Sequence, residues 1–317
     1  MNQQDANGTQ LEVSVIVVTH NNESLIGDCL RSIVVAVGLA SNEIIVVDNG
    51  STDGTLAAIA DDSAHVRTIS LDENVGFAAA NNLGIAASRG RRIVLVNSDA
   101  FPDPGSIELL IEALDEFPRA AIVGGRLRYP TGTLQPSHGR FPSLVGGLWV
   151  ALFLHRVPLL GRAGVGIAAH PALYRSRRRV DWVTAAFCIA RRESGPLPTE
   201  TFMYGEDVEW ALACQRVGMD VWLEPAATAI HVGRASVDRS QDRGFAQRQR
   251  AQFEVAWFAR RRPLARLAAR GVLVIHALLR LGVYGGLAAV RGRRDRRVAE
   301  YGILLHAALT ERARESD

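Results

Sequence analysis

Two textures alternate along the first hundred residues. VSVIVVT (13–19), EIIVVDN (43–49) and RRIVLVN (91–97) are apolar, β-branched runs of strand length, each ending in polar residues. Runs apolar on both faces predict buried parallel strands. Between them, ESLIGDCLRSIVVA sets Leu25, Cys29, Leu30 and Ile33 at helical spacing; TLAAIADD and VGFAAANNLGIAAS read as further helices and HVRTISLDEN as a short strand. This alternation predicts an α/β fold around a mostly parallel sheet. Farther on, SIELLIEALDEF (106–117) predicts a helix and AAIVGGRLRY (120–129) a strand. VTAAFCIARR predicts a strand, VEWALACQRVG a helix, and MDVWLEPAATAIHVG (219–233) a pair of strands ending at His231. The basic run in HPALYRSRRRVDW is expected to be solvated. Residues 144–168 are apolar and Gly-rich but broken by His155, Arg156 and Pro158, which suits a mobile flap or a core-packing segment equally.

Beyond about residue 235 the texture turns helical and rich in Ala, Leu and Arg. GVLVIHALLRLGVYGGLAAV (271–290) is long enough to cross a bilayer. Arg280 near its middle would cost about 2.5–3.5 kcal/mol there, so an interfacial helix or helical hairpin is favoured, with a soluble helical cap or oligomer contact as the alternative.

Composition adds limits. A chain of 317 residues, 48% hydrophobic and 22% charged, holds a sizeable core. Every basic residue is Arg. The net charge of +3 hides an asymmetry: residues 236–317 carry 17 Arg against 8 Asp plus Glu, a net of +9, which leaves −6 for residues 1–235. A basic tail on an acidic body points to an anionic partner. Cys29, Cys188 and Cys214 are far apart, without metal-ligand spacing, and fit reduced buried thiols in a cytoplasmic setting. MNQQDANGTQ lacks the form of a signal peptide.

In open α/β sheets a ligand sits outside the carboxyl ends of the strands. Here those ends carry Thr19-His20-Asn21-Asn22, Asp48-Asn49-Gly50-Ser51 and Asn97-Ser98-Asp99. Neither GxGxxG nor GxxxxGK(S/T) is present. FMYGEDVEW (202–210) sets Glu206 beside Asp207; the pair suits either a helix first turn or acid–base chemistry.

Taken together, VSVIVVTHNN, VVDNGSTDGT, NVGFAAANNLGI, VNSDA, FMYGEDVEW and a later His resemble glycosyltransferase family 2, the inverting nucleotide-sugar transferases of GT-A fold, over about residues 12–235. The version VNSDA with FMYGEDVEW and HVGRAS is most similar to bacterial rhamnosyltransferases and galactofuranosyl-type relatives. The resemblance implies a GT-A domain over 12–235, after a disordered tail (1–11) and before a basic, apolar helical region (236–317). It implies that Asp48 accepts the pyrimidine imide N–H, with Thr19 and His20 against the nucleoside, and that Asn74, Gly76, Asn81 and Asn97 line the donor pocket. Asp99 and His231 match metal ligands for Mn²⁺ or Mg²⁺. Asn97 stands where the family usually has an acidic residue, and His20 where a Tyr is common. Asp207 matches the general base, with Glu206, Tyr204 and Trp182 on the acceptor side; Met203 and Trp210 are either walls of the site or, for Trp210, core. Asp53 is read as a helix cap. Ala185-Ala186 replaces a usual Gly-Ala pair.

The implied activity is transfer of a sugar, first L-rhamnose from dTDP-rhamnose, to a lipid-linked or cell-envelope saccharide. The setting would be the cytoplasmic membrane face, in peripheral contact with anionic lipid. No nucleic acid partner is implied, and the oligomeric state is open. The alternatives are a UDP-sugar transferase of the same family and a non-catalytic saccharide-binding module. A sugar nucleotidyltransferase would need a Gly-rich basic loop where THNNES stands.

Overall fold

The structure is a computed structural model that describes residues 11–61, 66–157, 160, 170–200, 204–233, 245–260, 263–291 and 295–310. By contacts the chain divides into two compact units, Met1–Gly139 with Pro171–Ser236, and Arg140–His170 with Val237–Asp317. The segment after Gly139 thus groups with the C-terminal residues, although the sequence suggested one continuous domain to residue 235. The expected N-terminal tail lies outside the described residues except Leu11, which is buried and whose carbonyl accepts from the Arg91 N–H.

In the first unit the strands are β1 (Val13–Thr19), β2 (Asn42–Asn49), β3 (Val66–Leu71), β4 (Arg92–Asn97), β5 (Ala100–Pro102), β6 (Ala120–Arg128), β7 (Leu134–Gln135), β8 (His138–Gly139), β9 (Arg178–Val180), β10 (Trp182–Val183), β11 (Phe187–Arg191) and β12 (Asp220–His231). One ten-stranded sheet runs β3-β2-β1-β4-β11-β6-β12-β5, with β7 on β6 and β9 on β12; β8 and β10 form a separate ribbon. The β1–β2, β1–β4, β2–β3 and β6–β12 pairs are parallel, while β11 runs antiparallel between β4 and β6.

Helices α1 (Glu23–Val37), α2 (Thr55–Asp61), α3 (Phe77–Ala87), α4 (Ser106–Glu116) and α6 (Glu206–Arg216) flank this sheet. Period-two alternation explains why the strands are apolar throughout. Val13, Val15 and Val17 join Ile26, Leu30 and Leu110 of α1 and α4 in one core. Ile16 and Val47 point the other way, against Gly84 of α3.

Three expectations change. The segment 219–233 is one strand, not two: its pairing with β6 skips from Glu224 opposite Gly125 to Thr228 opposite Arg126. The sequence Pro225-Ala226-Ala227, which looks like a turn, is a bulge. VTAAFCIARR splits into β10 and β11, joined by Thr184–Ala186. The basic run is not simply solvated, because Arg177 donates to buried Glu224 and to Glu116 and lies over the Phe117 ring.

The second unit holds α5 (Leu144–Ala151), α7 (Phe245–Ala259), α8 (Pro263–Arg291) and α9 (Arg296–Thr310). Ala251, Val255, Leu273, Ala277, Leu304 and Ala307 form its core. Helix α5 packs along α8, with Gly147 against Val272, so this stretch is core-packing rather than a flap; residues 158, 159 and 161–169 lie outside the described part. The Ser143 hydroxyl caps α5 through the Gly146 N–H.

Candidate functional site

The carboxyl ends of β1, β2 and β4 place three loops side by side. Thr19 pairs in register with Asp48, and both are buried. Neither Thr19 Oγ1 nor Asp48 Oδ1 has a hydrogen-bond partner within the protein among the described residues. Asp48 Oδ2 accepts from the Ser51 N–H at 3.3 Å, the Asx-turn its sequence suggests, which leaves Oδ1 for a ligand donor. Two orphaned oxygens on adjacent strand ends are costly unless a ligand completes them. His20 is fixed by Nδ1 to the Asn49 carbonyl at 3.0 Å.

Asn74 and Asn81 are used differently from expectation. Asn74 Oδ1 accepts from the Gly76 N–H and from Asn49 Nδ2, both at 3.0 Å, so it braces the loop. Asn49 Oδ1 accepts in turn from the Val75 N–H. Gly76 has φ 91°, left-handed backbone open to glycine, and starts α3. Asn81 is buried, and its amide donates to the Phe77 carbonyl within its own helix. Asp53 caps α2 as expected, accepting from the Thr55 N–H at 3.0 Å.

Asn22, buried, donates through Nδ2 to the Ser98 carbonyl and hydroxyl, tying the first loop to the Asn97-Ser98-Asp99 turn. Pairing of β5 with β12 puts His231 opposite Ala100. His231 Nε2 lies 3.1 Å from Asp99 Oδ1 and 3.3 Å from Asn97 Nδ2. Its Nδ1 meets Gln135 Oε1 at 3.0 Å. An amide oxygen can only accept and an amide nitrogen only donate, so Nδ1 carries the proton and the Nε2 lone pair faces the Asn97 amide and the Asp99 carboxylate together. A lone pair and a carboxylate oxygen this close call for a cation or proton between them. Asn97 Oδ1 is buried without a hydrogen-bond partner among the described residues. Carboxylate, imidazole and amide oxygen are suitable donors for Mn²⁺ or Mg²⁺ that keeps further positions for phosphate oxygens. Among the described residues no three His, Cys, Asp or Glu side chains converge to hold an ion by themselves. Gln135, absent from the sequence-derived site, sits in a loop that looked featureless; only the pairing of β7 with β6 brings it to His231.

Helix α6 begins at Glu206, after Tyr204 (φ 70°) and Gly205 (φ 102°). Tyr204 has no glycine freedom, and such strain concentrates at functional sites. Met203 lies outside the described residues. Trp210 is core: it is buried and donates to the Ser194 and Gly195 carbonyls at 3.1 Å. Glu206 is buried and Asp207 is half-buried. Burial, then the neighbouring Asp207 charge, raises the Glu206 pKa, and Glu206 Oε2 has no hydrogen-bond partner among the described residues. Burial also raises that of Asp207, but N–H groups of Val208, of Asp207 itself and of Ala185 oppose the rise. Asp207 is therefore the member that gives up its proton first, with Glu206 neutral beside it.

Thr184–Ala186 links the parts. Ala185 donates to Asp207, and the Ala186 carbonyl accepts from the Asn97 N–H at 3.0 Å. Trp182 is half-buried on the ribbon, opposite Gly139. At the far ends of these strands lies an open depression of about 280 Å³, lined by Arg91, Arg92, Arg191, Arg192 and Glu193. Arg92 is paired with Glu12 and Asp115, and Arg191 donates to α4 carbonyls, so these arginines are bracing the fold.

The sequence profile described as Glycosyl transferase family 2 matches residues 14–178, about half of the chain. The chain belongs to glycosyl transferase family 2. An N-acetylglucosaminyl-diphospho-decaprenol L-rhamnosyltransferase from Mycobacterium tuberculosis (strain ATCC 25618 / H37Rv) is 28% identical over 314 residues, covering 88% of this chain and 98% of the relative. Among solved structures, a mannosyltransferase from Pyrobaculum calidifontis, in complex with GDP-Man and Mn²⁺, superposes with a TM-score of 0.58 at 18% identity, covering 94% of this chain and 86% of that one. Glucosyl-3-phosphoglycerate synthase from Mycobacterium tuberculosis gives 0.52 at 19% identity, over 78% and 79%. The fold of this family member is GT-A, as the sequence implied, and its activity is glycosyl transfer.

Proposed function

We propose that this family 2 glycosyltransferase is an inverting, metal-dependent enzyme that moves L-rhamnose from dTDP-rhamnose to a hydroxyl of a prenyl-diphosphate-linked saccharide. The observation that carries the transfer mechanism is the Glu206–Asp207 pair in the first turn of α6, where Asp207 Oδ1 accepts from the Val208 N–H at 2.8 Å and Glu206 Oε2 has no hydrogen-bond partner among the described residues. The rhamnose and prenyl acceptor are supported by likeness to the mycobacterial rhamnosyltransferase along most of both chains. A prenyl-linked acceptor would put this work at the inner face of the cell membrane.

Asp48 Oδ1 accepts the imide N–H of the pyrimidine, and Thr19 Oγ1 completes the nucleoside contact. His20, fixed through Nδ1, packs beside the base. Gly76 lets the start of α3 approach the donor, where free helix N–H groups favour negative charge. Asp99, His231 and the Asn97 amide oxygen would hold a divalent ion, with Gln135 setting the His231 tautomer and ring angle. When bound, that ion neutralises charge on the departing diphosphate. Asp207 takes the proton of the acceptor hydroxyl as its oxygen forms a bond to the anomeric carbon. The bond from that carbon to the diphosphate breaks on the opposite face, so configuration inverts. Neutral Glu206 donates to an acceptor or donor hydroxyl, and Tyr204 and Trp182 flank the acceptor sugar.

The test is Asp207→Asn, assayed with dTDP-rhamnose and a prenyl-diphosphate-linked N-acetylglucosamine. Loss of the base should lower turnover about 10²–10⁴-fold while donor binding persists, and NMR of the wild-type product should show inverted anomeric configuration. Unchanged turnover in a folded variant, or retained configuration, overturns the mechanism.

A further inference from the structure

Helix α8 is polar on its inside and apolar on its outside. Between Leu267 and Val290 every exposed residue is Leu, Ile, Val, Ala or Gly. Leu267, Ile275, Leu279, Val283, Leu287 and Val290 mark a single face, with spacings of three, four, seven or eight that repeat the helical turn. Of the polar residues of the same stretch, His276, Arg280 and Tyr284 are buried one turn apart, and Arg270 is half-buried. Arg280 donates to the Val150 and Ala151 carbonyls at 2.8 and 3.2 Å and lies 3.5 Å over the Phe153 ring. His276 and Tyr284 each face the Tyr301 ring at 5.7 Å.

A helix facing water would carry its charges outward. This one leaves an apolar strip about 35 Å long by helical rise, larger than scattered surface apolar residues explain. By length and composition Ala265–Val290 passes for a span, the single such helix among the described residues. Yet its inner face is bonded to α5 and α9, so only one side is available to lipid. Arginine clusters at 260–262 and 291–297 bracket the strip in the sequence, within a region of net charge +9.

We propose that the outer face of α8 lies in the plane of an anionic bilayer, its aliphatic side chains at the acyl boundary and the flanking arginines among acidic headgroups. Burial of apolar surface and attraction of basic side chains are the two weak signals that together hold a peripheral protein. The inference is independent of which sugar the enzyme transfers.

The test uses the full chain and vesicles of phosphatidylcholine, with and without phosphatidylglycerol, at low and high salt. Wild type should sediment with the anionic vesicles and partly release at high salt. The double variant Ile275→Asp/Val283→Asp, both positions exposed, should keep its helical circular dichroism and bind about tenfold or more weakly. Its rate on a short, water-soluble acceptor should be unchanged, which separates this face from the transfer site. Absence of wild-type binding, or equal binding by the folded double variant, overturns the proposal. So does a wild-type dimer in light scattering that the double variant dissolves without any vesicle binding, because the face would then join two copies.

Discussion

Glu206 and Asp207 are neighbours in sequence with unequal surroundings. Both have raised pKa values, but Asp207 receives backbone N–H groups that Glu206 Oε2 lacks. Two consequences follow from that direction. The acid limb of kcat/KM should lie above the ordinary carboxylate range, near pH 4, because Asp207 must lose its proton to act. Glu206→Gln replaces a carboxyl that is still neutral when Asp207 titrates by a neutral amide, so that limb should stay nearly in place; a clear shift to lower pH would show that Glu206 is already charged when the base loses its proton. For stability, a raised pKa means that the folded state holds more protons than the unfolded chain above about pH 4. Stability from this pair is thus present below that pH and is lost as pH rises through the raised values. Urea unfolding from pH 5 to 9 should show that decline in wild type and less of it in Glu206→Gln.

At this scale Asp48, Asp99, Asp207 and His231 stand out in the sequence as candidates because each lies at or just past a strand end or in the first turn of a helix within a distinctive motif. Gln135 was not, since its role depends on tertiary pairing. Asn74 and Asn81 look alike on paper as amide donors, and only the hydrogen-bond partners show that one braces a loop and the other its own helix.

Among the elements, strand β12 shows how a local signal misleads. Proline and two alanines read as a break, but pairing on both sides of the bulge keeps one strand running from Asp220 to His231. That continuity delivers His231 to Asp99. Helix α8 misleads in the opposite sense. Arg280 looked like a cost to a membrane segment, whereas its guanidinium satisfies the last two carbonyls of α5, where a cation is also favoured by the helix dipole. Arg280→Leu should destabilise the C-terminal unit by about 3 kcal/mol, through loss of charge-assisted bonds to buried carbonyls. Exposed Ile275→Ala should leave thermal unfolding nearly unchanged. An equal or higher melting temperature for Arg280→Leu would contradict this role.

Across the whole molecule, the α/β class and the parallel order of the first four strands followed from hydrophobic period alone, because buried strands and amphipathic helices differ in spacing. The antiparallel insertion of β11 and the grouping of Arg140–His170 with the C-terminal helices rest on long-range contacts that no local pattern encodes. Thr19, Asp48, Asn97, Asp99 and His231 together would form the proposed metal-assisted site for a pyrimidine-diphosphate sugar. The most direct measurement is calorimetric titration of the protein with dTDP-rhamnose, UDP-galactofuranose, UDP-glucose, UDP-N-acetylglucosamine and GDP-mannose, each with and without Mn²⁺. Tight binding of dTDP-rhamnose is expected only with the metal, reduced at least about tenfold in Asp48→Asn by loss of a charged acceptor. Binding of no donor by the folded protein, or metal-independent binding unaffected by Asp48→Asn, would contradict it.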